Sequence, residues 1–120
     1  MNNILYKYQF GFRRNHSTTL ALMDVVDKIR DNLSKGTKVA GVFIDFSKAF
    51  DSIPRHTLFQ KLLDYQITGN FYECLVNLYT NNTACVKMGT HITEFFNINQ
   101  GVKQGCILSP LLFNIFMSDL

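Results

Sequence analysis

An aspartate at the end of an apolar run is the first residue of this sequence whose position suggests chemistry. Residues 39–46 read Val-Ala-Gly-Val-Phe-Ile-Asp-Phe, which predicts a central strand buried on both faces. Asp45 stands at the C-terminal end of that strand, where an ionised carboxylate is costly to bury unless a cation or hydrogen-bond donors compensate it. Two explanations remain open: a ligand site at a strand end, or an aspartate that caps the following turn or pairs with Lys48.

The loop of residues 99–110 is a second candidate. Its glycines, Gly101 and Gly105, allow the backbone to approach a ligand closely, and Gln104 between them offers an amide that donates and accepts hydrogen bonds. Ser109 as N-cap, followed by a proline, predicts that a helix begins there. Out of context, a glycine loop before a helix is common and requires no ligand.

A third candidate is the loop of residues 9–19, which reads Gln-Phe-Gly-Phe-Arg-Arg-Asn-His-Ser-Thr-Thr. Its aromatic side chains could stack on bases, and its two arginines could pair with phosphates. The alternative is a surface loop that leads into a helix, and composition alone favours this alternative.

The hydrophobic pattern predicts the elements that position these residues. A helix over 17–34 has Ser17 as its N-cap and ends before Gly36. A second helix begins at Pro54-Arg55, and a third follows the break at Gly69-Asn70. Strands over 83–88 and 93–98 are joined by a turn at residues 89–91. The side chains expected to face inward on the three helices are Leu22, Val25, Val26, Ile29, Leu33, Leu58, Phe59, Leu62, Leu63, Phe71, Leu75 and Leu78.

Composition limits the classes of protein. At 120 residues and 47% hydrophobic, the chain can bury one core, and no run reaches the length of about 18 apolar residues that spans a membrane. The net charge is +3: residues 1–38 hold seven basic and three acidic side chains, and residues 39–120 hold five and six. This basic front half weakly supports a polyanionic partner. The N-terminus lacks a secretory signal, and the odd number of cysteines (Cys74, Cys85 and Cys106), spaced unlike zinc ligands, is typical of an intracellular protein with reduced, half-buried thiols.

Three segments together resemble one family. Asp45 to Arg55, read as Asp-Phe-Ser-Lys-Ala-Phe-Asp-Ser-Ile-Pro-Arg, resembles the first catalytic motif of reverse transcriptases, specifically those of non-LTR, LINE-type retrotransposons of the jockey group. Gln-x-Gly-Phe-Arg at residues 9–13 resembles their fingers segment. Gly-Val-x-Gln-Gly-x-x-Leu-Ser-Pro at residues 101–110 resembles their second polymerase motif.

The resemblance implies an α+β fold: part of the fingers (residues 1–38) and most of the palm (39–120) of a right-hand polymerase. We expect one small antiparallel sheet of 39–46, 83–88 and 93–98, with helices on one face. The implied activity is RNA-directed DNA polymerisation by two-metal nucleotidyl transfer. The implied partners are an RNA template, a DNA primer, deoxynucleotides and the remainder of the polymerase chain, with no membrane. The implied location is intracellular, in the nucleus or cytoplasm as a ribonucleoprotein.

The resemblance also implies residue roles. Asp45 matches the first metal-binding aspartate, and the backbone carbonyl of Phe46 would contact one of two Mg²⁺ ions. Phe50 would be a steric gate beneath the sugar, with a core phenylalanine as the alternative. Gln104 and Gly105 would border the nucleotide, and Arg13 would contact a phosphate or the template.

The aromatic-Ala-Asp-Asp hairpin that carries the family's second catalytic carboxylates does not occur in the sequence, so we expect a fragment that is inactive on its own. Two alternatives are a noncatalytic remnant that binds nucleic acid weakly and an enzyme in which Asp45 accepts a phosphate. The polymerase hypothesis expects Asp45 to be reachable by solvent and within about 10 Å of Gln104, as for groups that line one pocket.

Overall fold

A computed structural model describes residues 5–119, and its secondary structure mixes helices with short antiparallel strands, as expected for an α+β protein. It contains two compact units, of which the first ends at Ser47 and the second begins at Lys48. The helices are α1 (Thr18–Ser34), α2 (Arg55–Asp64), α3 (Gly69–Tyr79) and α4 (Ser109–Phe116), and the strands are β1 (Thr83–Ala84), β2 (Lys87–Met88), β3 (His91–Ile92) and β4 (Phe96–Asn97). Within residues 5–119, every helix is too short or too polar to cross a membrane.

The first unit is organised around α1, and the predicted bounds of this helix are confirmed. The Ser17 hydroxyl accepts a hydrogen bond from the backbone N–H three residues on, at 3.2 Å. At the other end Gly36 has φ +73° and donates to the Leu33 carbonyl, and Thr37 donates to the Asn32 carbonyl, both at 3.0 Å. This pair of bonds is a Schellman motif. The motif requires a left-handed residue after the helix, and glycine adopts that conformation without strain.

The apolar stripe along α1 is present but is not buried. Leu22, Val25 and Leu33 are 63%, 48% and 58% exposed, and the helix has no buried residue. Spacing at 3.6 residues fixes which side chains share a face, whereas burial also requires a surface that packs against that face. The prediction of an inward-facing stripe on α1 is therefore wrong for the described residues.

Residues 39–46 do not form the predicted strand. The segment has no regular secondary structure, and its side chains are exposed, with Val42, Phe43 and Ile44 at 86%, 97% and 78%. A strand exists only where a neighbour supplies hydrogen bonds, and each ladder within residues 5–119 pairs other strands. The apolar composition therefore indicated a preference for burial, but it did not identify a partner.

The second unit has a core formed by its helices and the loop before α4. Helix α2 packs against both α3 and α4, so the predicted layer of helices on a sheet is replaced by packing of helix on helix. The most deeply buried apolar side chains are Ile53, Leu58, Leu62, Leu75, Tyr79, Val102, Leu112 and Ile115. Leu63, Phe71 and Leu78, which were expected to face inward, are instead at least one-third exposed.

Residues 83–97 form the predicted antiparallel hairpin, but as two short nested ladders. The outer ladder pairs Thr83 with Asn97, and the inner ladder pairs Lys87 with Ile92. Between the ladders, the N–H of Val86 donates to the Thr93 hydroxyl at 2.9 Å. The turn is Gly89-Thr90, so His91, which was expected in the turn, begins β3.

Candidate functional site

Two segments that the motifs singled out are held together in the second unit: the turn of residues 48–53 and the loop of residues 101–104. The Gly101 N–H donates to the Ile53 carbonyl at 2.8 Å, and the Val102 N–H donates to the Phe50 carbonyl at 2.9 Å. Gly101 has φ +80°, and a Cβ on it would lie 2.7 Å from the Asp51 carbonyl oxygen. Only glycine fits this close approach.

A cavity of about 470 Å³ opens beside this junction. Phe50, Gln104 and Gly105, the three residues that the resemblance assigned to the nucleotide, all line it, together with Cys106, Ile107, Ser109 and Pro110. Gln104 and Gly105 are exposed, and nothing lies within 4 Å of a Cβ built on Gly105. The structure therefore brings these three residues to one open pocket of the size that small ligands occupy.

The walls of this cavity are set by contacts with neighbouring groups. Phe50 is half-buried and stacks on Phe113 of α4, with ring centroids 4.9 Å apart. Gln104 donates from Nε2 to Oδ1 of Asp51 at 2.9 Å. Phe50 therefore both packs against the core and faces the cavity, so its assignment as a gate stays a prediction.

Ser109 does not cap α4 as expected, because the helix takes Leu108 as its N-cap. The buried Ser109 hydroxyl instead donates to the Lys103 carbonyl at 2.6 Å and lies 3.4 Å from the Tyr79 hydroxyl. These contacts tie the start of α4 to the loop that carries Gln104. The serine thus positions the loop rather than the helix end.

Arg55 is the residue that sequence reasoning missed, because the motif included it without a role. It is 9% exposed, and its guanidinium donates to four backbone carbonyls. The distances are 2.9 Å to Gly101, 2.7 Å to Tyr79, 2.7 Å to Ile98 and 3.1 Å to Gln100. Burial lowers the pKa of this guanidinium. A basic residue that directly follows a proline at a helix start, inside an apolar unit, was the available signal.

A second cavity of about 540 Å³ is lined by residues of the same loop. Gln104 lines both cavities, and Asp51, Arg55 and Lys103 contribute the charged groups of the second one. Most of its remaining lining is amide or hydroxyl side chains from the strand ends: Asn82, Thr83, Asn97, Asn99 and Gln100. Gln104 therefore lines both a largely apolar pocket and a second one that is richer in polar side chains.

The other predicted site residues belong to the first unit. Asp45 is exposed, as expected for a reachable carboxylate, but it does not follow a strand because residues 39–46 form none. Phe46 is 49% exposed. Arg13 is half-buried and donates from Nη1 to the Tyr6 carbonyl at 3.1 Å, which closes the loop before α1. The separation of Asp45 from Gln104 stays a prediction.

Comparison with known proteins shows the family. The whole chain, residues 1–120, matches the family described as reverse transcriptase (RNA-dependent DNA polymerase). The chain belongs to this family, and the resemblance inferred from the three motifs is confirmed.

Individual relatives give the same result. The chain is 29% identical over 114 residues to the RNA-directed DNA polymerase from mobile element jockey of Drosophila melanogaster, with 95% of this chain and 12% of the relative covered. It is 27% identical over 114 residues, with the same coverage, to the probable RNA-directed DNA polymerase from transposon X-element of the same fly. A type-2 retrotransposable element R2DM polyprotein, also from that fly, is 35% identical over 77 residues, which cover 64% of this chain and 7% of the relative.

The chain spans about an eighth of the length of the first two of these relatives. The expected kinship with jockey-type non-LTR elements is confirmed by these matches. No solved structure matches the chain.

Proposed function

We propose that this chain is a segment of an RNA-directed DNA polymerase of a non-LTR retrotransposon, and that the cavity beside Gln104 receives the incoming deoxynucleotide. The observation that carries the proposal is that Phe50 lines one cavity of about 470 Å³ together with Gln104 and Gly105, which lie more than 50 positions further along the sequence. The family match and the jockey relative support the class of substrate.

Each of the three residues contributes a different property to this pocket. The Phe50 ring, backed by Phe113, is a fixed apolar wall that limits the space available to a sugar. The Gln104 amide supplies polar atoms that fix the orientation of a ligand. Gly105 has φ +82° and open space around its Cα, so the backbone can approach the ligand there.

Residues of the first unit receive roles in the same proposal. Arg13 has further guanidinium donors besides the one that closes its own loop, and these would contact a phosphate or the template. The template would be RNA and the primer DNA, held in the complete right-hand polymerase together with the remainder of that chain. We also propose that this polymerase acts inside the cell, in a ribonucleoprotein.

Reverse transcriptases as a family use divalent metal ions, and the proposal assigns Asp45 and the Phe46 carbonyl to Mg²⁺. These two groups supply two oxygen ligands, whereas Mg²⁺ takes about six in octahedral geometry. Within residues 5–119, no group of three or more His, Cys, Asp or Glu side chains could hold a metal ion. Asp45 and Phe46 would therefore be at most two of the ligands of such an ion.

The experiment is a titration of the purified 120-residue chain with dATP, in which the heat of binding is measured by calorimetry. We expect Gln104→Ala and Phe50→Ala each to raise the Kd by about tenfold, which corresponds to one lost contact of about 1.4 kcal/mol. Gln60→Ala is the matched control, because Gln60 is also exposed and also donates to a carboxylate, that of Asp64. Equal Kd values for all four proteins would contradict the proposed site.

A parallel titration with single-stranded RNA distinguishes the proposed function from the alternative of a noncatalytic remnant. That alternative predicts salt-sensitive RNA binding that Arg13→Ala weakens, without any binding of dATP. The proposed function instead predicts dATP binding that depends on Gln104 and is unaffected by Gln60→Ala.

A further inference from the structure

The hydrogen bond between Asp51 and Gln104 gives the glutamine amide a defined direction. An ionised carboxylate has no hydrogen to donate, so the Gln104 atom that lies 2.9 Å from Asp51 Oδ1 must be the nitrogen, Nε2. The opposite orientation would place two acceptor oxygens against each other. The carboxylate therefore fixes which end of the amide faces Asp51 and which end is left for a ligand.

The backbone around this pair is held by the two hydrogen bonds that join the turn to the loop. The carbonyls of Phe50 and Ile53, on either side of Asp51, accept from Val102 and Gly101 at 2.9 and 2.8 Å. The side-chain bond to Gln104 is thus a third link between the same two segments. Asp51 and Gln104 therefore both project from backbone segments that are already held together, which is the condition for one side chain to orient another.

The oxygen of the amide has no competing partner in the part of the chain that the structure describes. Within residues 5–119, Gln104 makes one side-chain hydrogen bond, the one from Nε2 to Asp51, and Oε1 accepts none. Gln104 lines both cavities, so this oxygen belongs to a side chain that borders the proposed nucleotide pocket. An oxygen presented there accepts hydrogen bonds and therefore favours a hydroxyl or amino group.

We propose that Asp51 is a positioning residue that holds the Gln104 amide with Oε1 free to accept a hydrogen bond from a donor group of the nucleotide. The inference rests on the proposed function, since it names how the same pocket selects its ligand. Asp51 itself touches Gln104 and not the ligand. The structure assigns the Asp51 carboxylate to the glutamine.

A purely structural role for this contact predicts a different result. Asp51 and Gln104 are both exposed, and a hydrogen bond between exposed groups contributes little to stability. A structural role would change melting slightly and binding not at all. A positioning role changes binding, because a free glutamine side chain distributes among several staggered rotamers and only a fraction of them is competent to bind.

The first measurement needs no nucleotide. In the ¹⁵N-labelled chain, the heteronuclear NOE of the Gln104 side-chain amide, assigned by its loss in Gln104→Ala, should show an ordered group. Asp51→Ala should make that amide mobile and leave the Gln60 amide unchanged. The matched control, Asp64→Ala, breaks the equivalent bond of 3.1 Å on α2 and should mobilise Gln60 alone.

The second measurement is the Kd for dATP in a double-mutant cycle. Asp51→Ala should raise the Kd about three- to tenfold in the wild-type background, as expected if roughly a tenth to a third of the Gln104 rotamers remain competent. In the Gln104→Ala background the same change should have no effect. Asp51→Asn should raise the Kd about twofold, because an asparagine can donate or accept and so leaves the glutamine amide in two orientations.

Two results would overturn the inference: a Gln104 amide that stays ordered in Asp51→Ala, or an effect of Asp51→Ala that is equally large without Gln104. Absence of dATP binding by the wild-type chain would count against the proposed function instead. In that case the NMR comparison would still decide whether Asp51 orients Gln104.

Discussion

Replacing Arg55 with methionine tests the claim that a single guanidinium joins α2 to the strand end and the loop. Methionine keeps much of the length and apolar stem of arginine but removes all its donors. Four hydrogen bonds to carbonyls are lost, and two of them, to Ile98 and Gln100, are only partly buried, so that water can replace the donor there. At about 1 kcal/mol for each bond, reduced for these two, the expected loss of unfolding free energy is about 3 kcal/mol.

The second unit spans 73 residues, 48–120, and for a domain of this size each kcal/mol lowers Tm by about 4–8 °C. Arg55→Met should therefore lower the Tm by about 12–24 °C, measured from the helical circular dichroism signal. Arg55→Lys should lose about half as much, because an ammonium keeps the charge but cannot span four carbonyls.

Arg30→Met on the exposed face of α1 is the control, and it should leave the Tm within about 2 °C of the wild-type value, as is usual for a surface substitution. A Tm for Arg55→Met that equals the Tm of this control would refute the role of Arg55 in holding the loop.

Three further predictions use the same structure. Gly101→Ala should lower Tm far more than Gly69→Ala, since both glycines have positive φ but only at Gly101 would a Cβ lie 2.7 Å from a carbonyl oxygen; equal shifts would contradict the close approach. In a completed polymerase, Phe50→Ala should gain ribonucleotide incorporation in primer extension, and unchanged selectivity with activity retained would reject the gate. Hydrogen bonding to Lys61 lowers the pKa of Asp119, so the stabilisation from this pair is present above the unfolded pKa of about 3.9 and is lost as the pH falls through the lower folded pKa. The fall in Tm between pH 6 and pH 2 should therefore be slightly smaller for Asp119→Asn than for the wild-type chain. An equal fall in both proteins would show that the pair has no effect.

Local signals in the sequence predicted the helices well. The ends of α1 followed from Ser17 and Gly36, because caps act over a few neighbouring residues and their chemistry is visible in sequence. The hairpin followed from two apolar runs around Gly89. The junction of Phe50 with Gln104 came from motif order rather than from physics, because no local rule predicts that residues 54 positions apart share a cavity.

The errors concern burial and long-range contacts. Residues 39–46 have the composition of a buried strand, yet strand formation depends on a partner elsewhere in the chain, which composition does not report. The same limit applies to Leu22 and Leu33 of α1, whose spacing was correct and whose burial was not. The partners of Arg55 could not be predicted, because they are backbone carbonyl oxygens, which every residue carries.

The exposed segment of residues 41–46 is a site at which a protease can cut the folded chain. A protease binds its substrate as an extended strand, and most folded segments must first open locally to adopt that form. Phe43 and Phe46 already lie in an irregular, exposed stretch, so chymotrypsin should cut there without any unfolding of the helices. Because Ser47 ends the first unit, a cut after Phe43 or Phe46 would break the backbone between α1 and the residues Phe50 and Gln104.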